Sequence, residues 1–448
     1  MASTASGATS GPTRCTTRSR TSAARWATTT STAPCPNSPS TPDRSLPAVA
    51  TTAPSTATVI RTDDEALATA RALAAEFAAG AERRDAERIL PTAELDRLSA
   101  SGLLGITVPA EYGGADVSIA TLAEVFRLLA AADPSLAQIP QSHFAYVNVL
   151  RAQGTPEQQR FFFAEILAGK RFGNAQSEAG TKHVQDYRTR LTADPDGGYV
   201  LTGTKHYSTG ALFAHWVPVL ARAEDELLQV AYVPRDAPGL TVVDDWDGMG
   251  QRTTASGTVN LDGVRVPAEH VVPHHLTFTG PQLHGAVAQL LHAAIDVGIA
   301  GGALAEAAEF VRTRTRPWFE AGVERATEDP LLVQRFGELA VRLRAAEALL
   351  ERAAREVDAA RADLTDASAA SASIAVATVK AFADPVAVEL SAALFEVSGT
   401  RSSLASLNLD RHWRNARTHT LHDPSRWKVQ HIGRYVLNGT PPPRHGLL

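Results

Sequence analysis

The spacing of the apolar residues changes twice along this chain, and that change restricts the folds open to it. From residue 63 the apolar positions recur at helical spacing. In DDEALATARALAAEFAAG (63–80) acids open the run and Gly80 closes it. A second helix is predicted over 91–101, with Thr92 at its start and Gly102 at its end. LLGITVPAEYGG then reads as an extended run. Helices follow at 119–132, at 140–152 and from Pro156 to Lys170. Between Arg171 and about His274 the residues alternate and turn signals crowd in, among them Asp196-Gly197-Gly198, Pro238-Gly239 and Asp262-Gly263. YVLTG, WVPVLAR, LQVAYVP and GTVNLDGVRVP therefore read as strands. After Pro281 helical spacing returns over 282–316, 331–361 and 366–398, with Leu332, Phe336, Leu339, Leu343 and Leu350 on one face. Such segments far exceed the mean helix of about 11–12 residues. They suit an antiparallel bundle whose apolar faces continue into an oligomer interface. The expected class is α+β, with a helical domain over 58–170, a β domain over 171–275 and a helical bundle over 276–448.

Residues 1–57 stand outside this pattern. They are rich in Ser, Thr, Ala and Pro, carry Arg14, Arg18, Arg20, Arg25 and Arg44, and have Asp43 as their acid. With almost no large apolar residue, the segment cannot offset its ordering entropy by burial. It reads as a disordered extension or as the product of a start codon placed too far upstream. A transit peptide is a third reading, opposed by the missing apolar face. Both cysteines, Cys15 and Cys35, lie here, so the body can hold no disulfide, thiolate metal site or cysteine nucleophile. Lys plus Arg (43) nearly balances Asp plus Glu (48), which argues against nucleic acid as a partner. No apolar run approaches the roughly 18 residues of a membrane helix, and a cytoplasmic location is expected. There is no GxGxxG after a strand and no P-loop.

Three segments, SGLLGITVPAEYGG, GGYVLTGTKHYSTGALFAHWVPVLAR and WDGMGQRTTASGTVNLDGVRVP, resemble the acyl-CoA dehydrogenase superfamily, and the likeness runs from about Asp63 to the end of the chain. It implies a central β-barrel-like domain and a C-terminal four-helix bundle. GNAQSEAGTKH, DDWDGMGQRTTASG, TRPW followed by ATEDP, and RHWRNARTHTLHDP resemble its reduced-flavin-dependent monooxygenase branch. That branch includes the dibenzothiophene monooxygenases and the sulfur acquisition oxidoreductases, and the latter are similar over the whole body. The chemistry implied is oxygen transfer from a C4a-hydroperoxyflavin to a small organosulfur compound such as a sulfone. It uses reduced FMN from a separate flavin reductase, and O₂. A homotetramer, a dimer of dimers, is implied as well.

The resemblance also assigns residues. Dehydrogenases of the commonest type place a catalytic glutamate where this chain has Asp423, beside His422. Asp is one methylene shorter, and a base must reach its proton to within about 3 Å. His422 is the candidate for handling a proton near neutral pH; the alternative is a histidine bonded to backbone on the bundle surface. His419 is expected to support it. An HxxH pair can bind metal, but no third ligand has recognisable spacing, so no metal is expected. Asn174 and Ser177 are expected along the flavin ring, with Thr209 near its N5 and Trp246 packed beside it. Arg316 and Arg401 are candidates for phosphate, Arg316 reaching a neighbouring subunit's flavin. Thr209 and Trp246 can equally be core residues, and the arginines a solvated face. The desulfurisation enzymes carry histidine where this chain has Gln138, and His143 matches a second one, so Gln138 and His143 are expected in a substrate pocket that differs from theirs. Two other readings stay open: an FAD-dependent acyl-CoA dehydrogenase with Asp423 as base, and a non-catalytic flavin-binding scaffold.

Overall fold

The computed structural model describes residues 57–448, so the reading of the N-terminal tail lies outside the described residues. Helix α1 (Asp63–Glu87) begins under a Thr62 cap and runs past Gly80, where the sequence pattern predicts its end. The Arg84 side chain lies across Gly80; a Cβ there would meet the guanidinium at 2.5 Å. α2 (Thr92–Ala100) is followed not by an extended run but by two 3-10 turns, Leu103–Gly105 and Ala110–Tyr112. Gly102 and Gly113 flank these turns at φ values of 84° and 90°, which side chains disfavour. Next come α3 (Ile119–Ala132), α4 (Pro134–Gln138), α5 (Gln141–Gln153) and α6 (Pro156–Leu167). Asp133 caps α4, and Thr155 with Gln158 forms a capping box on α6.

Seven strands follow: β1 (Arg190–Ala193), β2 (Tyr199–Lys205), β3 (Trp216–Arg222), β4 (Leu228–Pro234), β5 (Leu240–Val243), β6 (Thr258–Val266) and β7 (Val271–Val272). They form one sheet in the order β5-β6-β2-β1-β3-β4-β7, antiparallel except where β1 meets β3. Val217, Val219, Ala231 and Val233 share one apolar cluster with Leu240, Val259, Leu261 and Val264, so the sheet curls around a common interior.

The remaining helices are α7 (His284–Arg314), α8 (Pro330–Ala362), α9 (Asp366–Ser398), α10 (Arg411–His419) and α11 (Ser425–Asn438). The two helical segments share a core, in which Phe77 of α1 and Phe126 of α3 join Leu290 of α7, Leu350 of α8 and Leu394 of α9. Asp358 of α8 reinforces the join by accepting from the Ile119 and Ala120 amides at 2.7 and 3.0 Å, the first turn of α3. Over an 18-residue window α7 and α9 reach the hydropathy of membrane spans, contrary to the sequence reading. Most of each window is buried in the bundle, 83% for α7 and 56% for α9, as expected of core helices.

Candidate active site

The turn after β2 gathers the residues expected beside a flavin. Asn174 accepts from the Tyr146 hydroxyl at 3.1 Å and donates weakly to the Tyr207 carbonyl at 3.4 Å. Ser177 takes part through its backbone carbonyl, which accepts from the His206 amide. The fully buried Lys205 pins this segment to the sheet, donating to the Gln176 carbonyl and to Glu178 at 2.7 Å. Burial pulls the Lys205 ammonium down to about 8 although Glu178 opposes the shift. Thr209 Oγ1 lies 2.7 Å from Ser256 Oγ, which lies 2.7 Å from Thr254 Oγ1. The Thr254 hydroxyl then donates to the Gln251 carbonyl at 2.9 Å, and the Trp246 indole N–H donates to that same carbonyl at 2.9 Å. The Tyr207 and Trp246 rings meet edge-on at 6.2 Å. Asn174, Thr209 and Trp246 therefore converge.

Three features make this convergence a candidate binding site. Both side-chain polar atoms of Gln251, and Ser208 Oγ, are buried without a partner. Each such atom costs about 1–3 kcal/mol unless a ligand or water satisfies it. Tyr207, Gln251 and Ala255 hold φ values of 55°, 51° and 46°, strain of a kind that collects at functional sites. An indole face, a row of hydroxyls and an unpaired amide also suit a flat heterocycle with donors and acceptors on its edge. The donor set thus fits an isoalloxazine.

A second cluster lies in the bundle. His419, at the end of α10, is buried, with Nδ1 2.6 Å from Asp296 Oδ1 of α7. Its Nε2 is 3.0 Å from Gln138 Oε1 and 3.1 Å from His292 Nδ1. The His292 ring stacks on His422 with centroids 4.0 Å apart and planes tilted by 33°. His422 Nδ1 lies 3.1 Å from Asp423 Oδ1, and Lys428 of α11 holds Asp423 Oδ2 at 2.7 Å. Behind the histidines, Lys380 of α9 lies 3.0 Å from Asp296 Oδ2, both without exposed surface. Lys380 also bonds Asp384, which accepts from the Ser425 hydroxyl.

The electrostatics follow from this pairing. Burial raises the Asp423 carboxyl, but the His422 hydrogen bond, Lys428 and Lys380 outweigh it and hold the group well below the usual range. Asp296 is likewise raised by burial and lowered further by His419 and Lys380. Burial and the adjacent Asp296 push Asp384 up to about 8. Burial keeps His292 and His419 below their ordinary value. An ionised Asp423 can only accept, so His422 carries a proton on Nδ1, and its Nε2 has no partner among the described residues. The His422 side chain is 42% exposed. The structure thus makes Asp423 the group that orients His422. Both its oxygens are held and its proton affinity is low, which opposes the role of base.

The two clusters adjoin. A Cβ at Gly210, next to Thr209, would meet Ile139 at 3.2 Å, and Ile139 follows Gln138. Asn415, one turn before His419 on α10, accepts from the Gln251 amide at 2.6 Å. One expectation comes out differently. His143 is buried with both nitrogens on backbone, Nε2 on the Leu104 carbonyl and Nδ1 on the Phe172 amide, so it ties α5 to its neighbours and leaves nothing for a substrate. Arg316 and Arg401 lie beyond the far ends of α7 and α9, joined there by the Thr315 hydroxyl on the Ser398 carbonyl. Both are exposed and make no ion pair among the described residues. Sequence reasoning missed His292, Asp296, Lys380, Asp384, Lys428, Gln251 and Asn415. A signal existed for four of them: HAAID and KAFAD place polar pairs four residues apart inside apolar helices.

The chain belongs to the acyl-CoA dehydrogenase family, in its flavin-dependent monooxygenase branch. The family's N-terminal, middle and C-terminal domains match residues 62–170, 172–264 and 290–426. Dibenzothiophene monooxygenase of Rhodococcus erythropolis is 37% identical over 396 residues, 85% of this chain and 95% of that protein. The probable FMNH2-dependent monooxygenase SfnC of Pseudomonas putida is 35% identical over 84% of this chain and 96% of its own length. The FMN-bound structure of TdsC from Paenibacillus sp. A11-2 superposes with a TM-score of 0.82 at 33% identity, covering 86% of this chain and all of that one.

Proposed function

We propose that this protein is an FMNH2-dependent monooxygenase acting on a small organosulfur compound in the cytoplasm, with reduced FMN supplied by a separate flavin reductase. The observation that carries this reading is the pairing at His422 and Asp423. The carboxylate at the dehydrogenase base position is tied to Lys428 and His422, while the imidazole keeps one nitrogen open. Bound reduced FMN supplies the electrons that activate O₂. The chain's own part is to hold the ring among Thr209, Gln251, Asn174 and Trp246, and to hold or release one proton at His422 Nε2. The preference for FMN over FAD, and for sulfur compounds, is supported by the names of the relatives. Arg316 and Arg401, exposed and without an ion pair among the described residues, suit the phosphate of a neighbouring copy's flavin. That reading goes with a homotetramer built as a dimer of dimers. Exposed Leu331 and Val341 on α8, and Trp427, Val436 and Leu437 on α11, offer apolar area for such contacts.

The test couples the protein to a flavin reductase with FMN, ¹⁸O₂ and a panel of sulfones, sulfinates and thiophenes. One heavy oxygen should enter the product. His422→Ala should keep flavin reoxidation but divert it to hydrogen peroxide, with product falling about 100-fold or more. Bleaching of bound FAD by an acyl-CoA, lost in Asp423→Ala but not in His422→Ala, would establish the dehydrogenase instead.

A further inference from the structure

The proposed chemistry uses one imidazole, yet two more histidines and two buried cations stand behind it. We propose that Asp296 and His292 are positioning residues: Asp296 fixes the proton arrangement of His419, and His292 passes that arrangement to His422 and holds its ring plane. The inference deepens the reading of His422 as the proton-handling group and rests on it.

Lys380 occupies Asp296 Oδ2, leaving Oδ1 for the His419 Nδ1–H. His419 Nε2 then has two settings. As a neutral ring it accepts from His292 Nδ1–H at 3.1 Å; as an imidazolium it donates to Gln138 Oε1 at 3.0 Å. The first setting needs the His292 proton on Nδ1 and the second allows it on Nε2. The two rings of His292 and His422 lie 4.0 Å apart, so the direction of the His292 dipole acts directly on His422. Like charges at this separation oppose one another, so a proton on one ring disfavours a second on the next. The groups facing the stack are Asp296 from α7, Lys380 and Asp384 from α9, Gln138 from α4, and Asp423 with Lys428 around the start of α11. Two ammoniums face two firmly ionised carboxylates, while burial keeps Asp384 inclined to its proton. The paired charges around the stack therefore nearly cancel. A buried ion pair is weak support for stability, and here the Lys380–Asp296 pair fixes which oxygen faces His419.

Two substitutions separate the ring from the hydrogen bond. His292→Phe keeps an aromatic face against His422 and removes the bond to His419. His292→Asn keeps a donor toward His419 and removes the ring. The readouts are the NMR titration of the His422 Cε1–H in flavin-free protein, and kcat and KM for oxygenation across pH. In His292→Asn the His422 resonance should lose its ring-current shift, and kcat should fall about 10-fold with KM within about twofold. In His292→Phe the ring-current shift should stay while the acid limb of the profile moves by about half a pH unit. Asp296→Asn removes an anion, so the His422 midpoint should move down, and Asp296→Glu should restore it. A His422 titration and pH profile identical to wild type in every folded variant overturns the inference. Should the variants not fold, wild-type protein decides. A downfield His419 Nδ1–H resonance that follows the His422 midpoint supports the relay, and one that ignores it refutes it. Oxygenation failing with every sulfur compound while this NMR coupling persists would remove the proposed function and leave the relay standing.

Discussion

Two nitrogens on two backbone groups make His143 a fold residue, and its titration should be visible in stability. Burial holds its pKa down to about 4, against about 6.5 in an unfolded chain. The unfolded state takes up the proton first. The stabilisation is therefore complete above pH 6.5 and is lost as pH falls toward 4. His284, also near 4 through burial, acts in the same direction. His143→Leu leaves the Leu104 carbonyl and Phe172 amide unpaired and should cost about 2–4 kcal/mol at pH 7.5 in urea titrations. At pH 5 the gap between variant and wild type should narrow. A gap that stays constant between the two pH values would show that His143 does not carry the linkage.

At the scale of elements, the site depends on how the loop after β5 meets α10. A Cβ on Gly250 would lie 2.0 Å from the Arg414 carbonyl oxygen and 2.7 Å from the Asn415 amide nitrogen. Both neighbours are backbone and cannot swing aside. Gly250→Ala should cost about 1–3 kcal/mol and weaken FMN binding by breaking the Gln251–Asn415 bond, measured by thermal denaturation and flavin fluorescence. Unchanged flavin affinity would mean that the loop seats the ring without α10. Such a contact joins residues far apart in sequence, and so no periodicity points to Gly250 or Asn415. The elements themselves were more legible. The switch from helical spacing to alternation and back marks the sheet and the long helices. Gly80 does not end its helix, since a lone glycine inside a helical pattern is tolerated at a cost of about 1 kcal/mol. Thr209, Trp246, His419 and His422 were legible through motif likeness. The buried Lys380–Asp384 pair stands in the sequence as KAFAD, and His292 and Asp296 as HAAID, but an apolar helix invites a reading by its majority.

The molecule as a whole is organised around α7. Its first half carries His292 and Asp296 into the core shared by α3 and α9, and its last turn leads to the exposed Arg316. The His422 imidazole at one end of this core is nonetheless half-exposed, with Leu421 and Trp427 exposed beside it. Activated oxygen in contact with water decomposes to peroxide. If a second copy closes this mouth, dilution should uncouple the enzyme. The ratio of oxygenated product to hydrogen peroxide should drop as protein falls from micromolar to nanomolar, while oxygen uptake per flavin holds steady. A ratio independent of concentration would mean that one chain shields its own chemistry. The yield per electron would then serve as a gauge of assembly, readable in a cuvette.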